Sequence, residues 1–446
     1  MPDSYDLILK GGCAAIPDGI QPADIGIRNG RIAAIGELSG DLSDEVIDCT
    51  GLHVLPGVID TQVHFREPGM EHKEDLATGT AAAALGGVTA IFEMPNTKPP
   101  TTTPEAIQDK LARAKGRTWT DHAFFIGAAA ENADRLGEWE RMPGCAGVKV
   151  FMGSSTGSLL VDEEAVLARV LANGSRRVAV HAEDEARLKE RFALVKDGAS
   201  PAMHPVWRDE ETALRATQRL IRLAEAAGRR VHVLHITTAE EMDFLAQHKA
   251  LATVEVLVNH LTLAAPECYE RLGTYAQMNP PVRDARHREA LWHAVRQGVV
   301  DVLGSDHAPH TRAEKDKDYP NTPSGMPGVQ TLVPVMLNHV HDGKLSLQRF
   351  IDLTSAGPAR TYGIANKGRI ALGYDADFTI VDLKAQRRIS NMWIASKAGW
   401  TPFDGMRVTG WPIMTMVRGH VVMREDTLLD EPTGQPVRFH EQDWPS

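Results

Sequence analysis

From Val58 onward the chain alternates short apolar runs with helix-like stretches, and it does so eight times. The runs are VIDTQVHF, GVTAIFEMP, HAFFIGA, GVKVFMG, VAVHAED, VHVLHITT, TVEVLVNH and VDVLGSDHAPH. Most are apolar at successive positions rather than at every second one, the pattern of strands buried on both faces in a parallel sheet. Between them lie segments such as DLATGTAAAALGG, PEAIQDKLARAK and DEETALRATQRLIRLAEAAG, whose apolar spacing and Ala, Leu and Arg content favour amphipathic helices. Strand, helix, strand, repeated to eight, predicts a (β/α)8 TIM-like barrel over residues 56–363, within an α/β fold class.

The two ends read differently. Residues 1–55 carry short strands broken by turns, with Asn29-Gly30 between DIGIR and RIAAIG, and residues 364–425 return to the same character in GRIALGYDADFTIVDL and GWPIMTMVRGHVVMRE. These segments are expected to form one small, discontinuous β-domain flanking the barrel, although sequence does not pair their strands. The stretch 384–410, with Trp393, Trp400 and Pro402, resists placement, and residues 426–446 read as a polar, loosely attached tail. A chain of 446 residues, 43% hydrophobic, has ample material for such a core. A net charge of −11 argues against a nucleic-acid or anionic-membrane surface. No apolar run is long enough to span a bilayer, and MPDSYDLILKGG begins acidic without a basic segment followed by a long apolar run, so a soluble, cytosolic protein is expected. Cys13, Cys49, Cys145 and Cys268 are widely spaced, which suits reduced thiols in a cytoplasmic protein.

In a barrel of this kind the chemistry sits at the C-terminal ends of the strands. The residues there are His64 and Arg66 after the first run, Asn96 after the second, Lys149 in the fourth, His181 in the fifth, His235 in the sixth, and Asp306, His307 and His310 in the eighth. If the first strand stays extended, His64 and Arg66 point to the same side, setting a metal-ligand type beside a fixed positive charge. Each residue alone has a plain explanation: a hydrogen-bonded core histidine, a loop-capping aspartate, a turn asparagine. Lys149 is harder to dismiss, because Val148, Val150 and Phe151 surround it and burying an unpaired ammonium is costly. Neutral imidazoles with a carboxylate suit Zn²⁺ or a similar divalent metal. A buried lysine has a lowered pKa, and its neutral amine reacts with CO₂ to give a carbamate, an anionic oxygen donor. The GSSTG stretch at 153–157 lacks the lysine of a phosphate-binding loop and reads as a polar loop.

Taken in order, HFREPG, HKEDLATG, GGVTAIFEMPNT, VAVHAED, MNPPVR and SDHAPH resemble the dihydroorotase family, the cyclic-amide hydrolases of pyrimidine synthesis within the amidohydrolase superfamily. The resemblance runs from about residue 5 to 420. It implies a zinc-dependent, reversible hydrolysis of dihydroorotate to N-carbamoyl-aspartate. It also implies that His64, Lys149 as its CO₂-derived carbamate, His181, His235 and Asp306 are metal ligands, with Asp306 also moving the proton. Arg66, Asn96 and His310 resemble the binders of the substrate carboxylate, while Asn279 and the loop Gly325 to Gly328 resemble contacts to the ring. The family's first strand usually offers two histidines one residue apart, whereas here the first of them is Gln62. A carboxamide is a weaker zinc ligand than imidazole, so one tightly bound zinc and a weak or missing second are expected. A homo-oligomer is expected, and so is a small-molecule substrate. Association with aspartate carbamoyltransferase is a further implication, since some relatives that have lost metal ligands serve as its structural partners.

Overall fold

A computed structural model describes residues 4–39, 42–154, 159–196 and 198–440. The polar loop at 153–157 and the tail therefore lie partly outside the described residues. The chain begins with β1 (Tyr5–Lys10), β2 (Cys13–Ile16), β3 (Gly19–Pro22), β4 (Asp24–Arg28), β5 (Arg31–Gly36), β6 (Ser43–Asp48) and β7 (His53–Pro56). Eight parallel strands follow: β8 (Val58–Val63), β9 (Val88–Glu93), β10 (Asp121–Gly127), β11 (Cys145–Phe151), β12 (Val178–His181), β13 (Val231–Val233), β14 (Ala252–Leu257) and β15 (Val302–Gly304). Each of the eight apolar runs supplies one of them. Every residue of these strands is buried, which is why they read as continuous apolar runs.

The ring closes between its first and last strands. Val63 bridges His307 in parallel, the His64 amide donates to the His307 carbonyl at 2.7 Å, and the Ser305 amide donates to Asp60 at 3.2 Å. Helices cover the outside and start where the sequence supplies caps. Asp75 opens Leu76–Leu85 in a capping box with Thr78, Thr103 and Pro104 open Pro104–Ala114, and Asp209 opens Glu210–Ala227, which stops at left-handed Gly228. The first of these helices lies flat on the strand ends: a Cβ on Gly79 would come within 2.6 Å of the Phe65 ring.

The remaining strands are β16 (Phe378–Arg388), β17 (Arg407–Val417), β18 (His420–Arg424) and β19 (Thr427–Leu428). They join the N-terminal strands in one sheet of order β19-β18-β17-β16-β7-β2-β3, with β16 antiparallel to β7, and β5-β4-β1-β6 forms a second sheet. Leu7, Ile25, Val54, Phe378, Ile380 and Met416 pack between the two. The fold is thus a (β/α)8 barrel with a flanking β-domain built from both ends of the chain.

Two expectations change. Residues 427–440 are not loosely attached. The Val437 amide donates to the His122 carbonyl, the Ala365 amide to Arg438 and the His440 amide to Gly363, and Phe439 packs edge-on to Phe92. The apolar Val437 and Phe439 anchor an otherwise polar tail under the barrel. The segment 389–406, unplaced from sequence, lies against the barrel mouth. Ser396 donates to Glu74, Lys397 pairs with Asp75 at 2.6 Å, and buried Trp400 donates its Nε1–H to the His310 carbonyl at 2.9 Å.

Candidate active site

The strand ends converge on a small chamber at the C-terminal mouth of the barrel, about 20 Å³ in free volume. Gln62, His64, Arg66, Asn96, Lys149, His181, His235, Asn279, Asp306 and Gly325 line it. Of the residues expected at the site, His310 stands behind Arg66 instead. Gly328 also lies outside the lining; its amide donates to His307 Nδ1 at 3.0 Å and holds the loop. Gly325 reaches the chamber wall at φ 144°, where a Cβ would fall 2.4 Å from the Ala308 carbonyl.

Strand alternation does not place Arg66. β8 ends at Val63, and Arg66 takes φ 66°, so the chain turns sharply before the guanidinium swings back. His235 and Asp306 have φ 38° and 45°. Left-handed backbone at such residues costs on the order of 1–3 kcal/mol each, and strain of this kind collects where function requires a side chain to be aimed. Three such residues surround this one chamber, which makes it the candidate functional site.

The donors stand in two hydrogen-bonded groups. In one, His181 Nδ1 faces His235 Nε2 at 3.0 Å, while His181 Nε2 is held by Glu183 at 2.9 Å. Arg208 clamps the same carboxylate, with Nη2 at 2.6 Å from Oε2. In the other, Asp306 Oδ1 accepts from His64 Nε2 at 3.0 Å and from Gln62 Nε2 at 3.1 Å, and His64 Nδ1 meets Asn96 Oδ1 at 2.7 Å. Lys149 Nζ lies 4.5 Å over the Phe151 ring.

Burial dominates the electrostatics. It pushes the Lys149 ammonium from an ordinary 10.5 to about 7, although the charges of Asp306 and Glu255 oppose it. It also lowers His64, His181 and His235, the last well below the usual range with help from neighbouring His181 and Lys149. Burial therefore favours the neutral imidazole at His181 and His235, while His64 stands between the oxygens of Asp306 and Asn96. Glu255, beneath Lys149, is raised by burial and by the Asp306 charge to about 8. Arg66 falls to about 10 through burial and stays charged at neutral pH. Its Nε donates to the Pro309 carbonyl at 3.2 Å, while its Nη1 is buried without a hydrogen-bond partner.

Among the described residues, no three His, Cys, Asp or Glu side chains stand ready as a metal-binding cluster. The chemistry of the donors nonetheless fits a divalent metal. They are neutral imidazoles, one carboxylate and a lysine whose amine is half uncharged at neutral pH, and His235 Nδ1 and Gln62 Oε1 are buried without partners. Glu183 does for His181 what carboxylates commonly do for metal-binding histidines, fixing its tautomer. Sequence reading passed over Glu183, Arg208 and Glu255. The first carried a usable signal, a carboxylate two residues after a strand-end histidine, while the other two come together only in the fold.

Comparison with known proteins supplies the family and the fold. Residues 53–422 match the amidohydrolase family model. A dihydroorotase of Methanosarcina acetivorans is 37% identical, covering 96% of this chain and 94% of its own, and one of Halobacterium salinarum is 39% identical, covering 93% and 96%. The solved structure of an L-hydantoinase from Arthrobacter aurescens superposes with a TM-score of 0.91 at 31% identity, covering 97% of this chain and 99% of that one. No helix among the described residues is long and apolar enough to cross a membrane. On fold, site and likeness together, the chain belongs to the amidohydrolase family, among its hydrolases of cyclic amides.

Proposed function

We propose that the protein is a metal-dependent dihydroorotase, hydrolysing dihydroorotate reversibly to N-carbamoyl-aspartate in pyrimidine synthesis. The observation that carries this reading is Arg66, a buried, charged guanidinium on the chamber wall with Nη1 lacking any partner. A buried cation of this kind calls for an anion, and a carboxylate meets its fork with two charge-assisted hydrogen bonds. The hydantoinase likeness favours a second reading, a neutral cyclic substrate. A neutral ring would leave Nη1 of that guanidinium without a carboxylate acceptor.

A divalent metal, taken to be zinc, would be held by His64, His181, His235, Asp306 and the carbamate of Lys149, and would supply an acidified water and a polarised amide carbonyl. The protein's own groups do the rest. Arg66 and Asn96 seat the carboxylate and fix the ring, with His310 backing the guanidinium from outside the chamber. Asn279 and the Gly325 loop close on the ring's far side. Asp306 takes a proton from the attacking water and returns it to the ring nitrogen as the C–N bond breaks, the role of a carboxylate acting as general base and then general acid. The Glu183–Arg208 pair keeps His181 oriented. The free cysteines, three of them buried, fit a cytosolic setting.

The test is Arg66→Met. Loss of a buried charge-assisted partner costs about 2–5 kcal/mol, so kcat/KM for dihydroorotate should fall roughly 30-fold or more, while turnover of dihydrouracil, which lacks the carboxylate, should change little. Equal losses on both rings would overturn the assignment.

A further inference from the structure

Behind Arg66 stands a partly buried chain of charge that the reaction does not use directly. Lys73 Nζ lies 3.1 Å from His310 Nδ1 and pairs with Glu314 at 2.9 Å. Glu314 is fixed in turn by the Thr311 amide and hydroxyl at 3.0 and 3.1 Å. On the other edge of the imidazole, Nε2 is 3.0 Å from the Ser324 carbonyl and 3.3 Å from Arg66 Nη2.

An ammonium has three N–H groups and no lone pair, so at the Lys73 contact His310 Nδ1 can only accept. Burial, with Arg66 and Lys73 on either side, keeps His310 neutral. Its single ring proton must then sit on Nε2, where it donates to Ser324. Arg66 Nη2 consequently faces an N–H rather than a lone pair, and finds no acceptor in His310. Arg66 Nη1 has none either.

We infer that Lys73 is a specificity-determining positioning residue, which locks the His310 tautomer so that the anion seat presents donors only. In the opposite tautomer, Nε2 would turn a lone pair toward Arg66 and accept its Nη2–H. That would occupy one prong of the guanidinium fork and aim negative electron density at an incoming carboxylate. The role in catalysis rests on the dihydroorotase reading; the tautomer itself does not.

The test combines a spectrum with kinetics. In protein labelled with ¹⁵N at histidine, with the His310 signals assigned by difference from His310→Asn, His310 should show a protonated Nε2 and a lone-pair Nδ1. Lys73→Met should shift the imidazole toward the Nδ1–H form and raise KM for dihydroorotate at least about tenfold, the worth of a charge-assisted hydrogen bond, with kcat changed much less and dihydrouracil turnover unchanged. Lys73→Arg, which keeps a permanent donor, should keep the tautomer and recover most of the affinity. A protonated Nδ1 in the unmodified protein overturns the inference whatever the variants do. So does a Lys73→Met protein that loses both substrates equally, since that is the mark of a merely structural ion pair. The spectrum requires no substrate, so a protein that fails to open dihydroorotate refutes the functional reading while Lys73 is still judged on its tautomer.

Discussion

Lys149 gives the sharpest quantitative expectation. It is 1% exposed, set between Val148 and Val150 in β11, and burial brings its pKa from 10.5 to about 7. An ordinary lysine at pH 7 is uncharged in roughly one molecule in 3,000, whereas Lys149 is uncharged in about half, a gain on the order of 10³ in reactive amine. Only the uncharged amine attacks CO₂; the N–C bond forms, a proton leaves, and a carbamate results. Metal-free protein in CO₂-depleted buffer should therefore take up zinc poorly, and bicarbonate should restore uptake. The restored rate should fall about tenfold per pH unit below about pH 6, because protonation removes the nucleophile, and should level off above about pH 8. With ¹³C-bicarbonate, native mass spectrometry and NMR should place the label on Lys149. Lys149→Ala should lose metal and activity together, and a short carboxylic acid should restore part of both. An unmodified Lys149 in metal-loaded, active protein would refute this reasoning, as would zinc uptake indifferent to CO₂.

Gln62 and Arg208 extend the argument. Gln62 donates to Asp306 where the family pattern has an imidazole, so the protein should hold one chelator-resistant zinc, and Gln62→His should raise metal analysis toward two per chain without abolishing activity. Two equally resistant zincs in the unmodified protein would contradict this. Burial alone would raise the Glu183 carboxyl, but Arg208 and His181 outweigh it and hold it far below the usual range. The stabilisation is therefore complete above the ordinary carboxylate pKa of about 4.3 and is lost as pH falls through the depressed folded value. Arg208→Met should cost about 3–5 kcal/mol near pH 7 by denaturant unfolding, with the gap to the unmodified protein narrowing in acid. A deficit below about 1 kcal/mol, or one that widens in acid, would count against it.

What sequence made legible follows from what is local. All eight barrel strands were visible because strands buried on both faces are apolar along their whole length. Lys149, His181, His235 and Asp306 were visible as polar residues in or at the ends of those runs. The pairing of β7 with β16 was not, since it joins residues more than three hundred positions apart and depends on shape rather than pattern. Nor was the course of Arg66, because a left-handed turn at an arginine leaves no compositional trace. His310 looked like a chamber residue until its Ser324 and Lys73 contacts placed the ring behind the guanidinium. Lys73 lies in the HKEDLATG motif but carried no role of its own: a lysine in HKED reads as surface until Glu314 and His310 close over it.

The ladder joining β11 to β12 sets Lys149 beside Ala179 and Phe151 beside His181, and β13 continues the same register. Main-chain hydrogen bonds thus dictate how far apart these side chains stand, close to the fixed interstrand distance of about 4.8 Å. The frame is indifferent to which side chain occupies each post. An imidazole can give way to a carboxamide, as at Gln62, and Lys149 and His181 stay where the sheet holds them. Such a scaffold can change its chemistry one residue at a time without refolding, so new substrates are reached through substitution at the rim while the architecture is inherited intact.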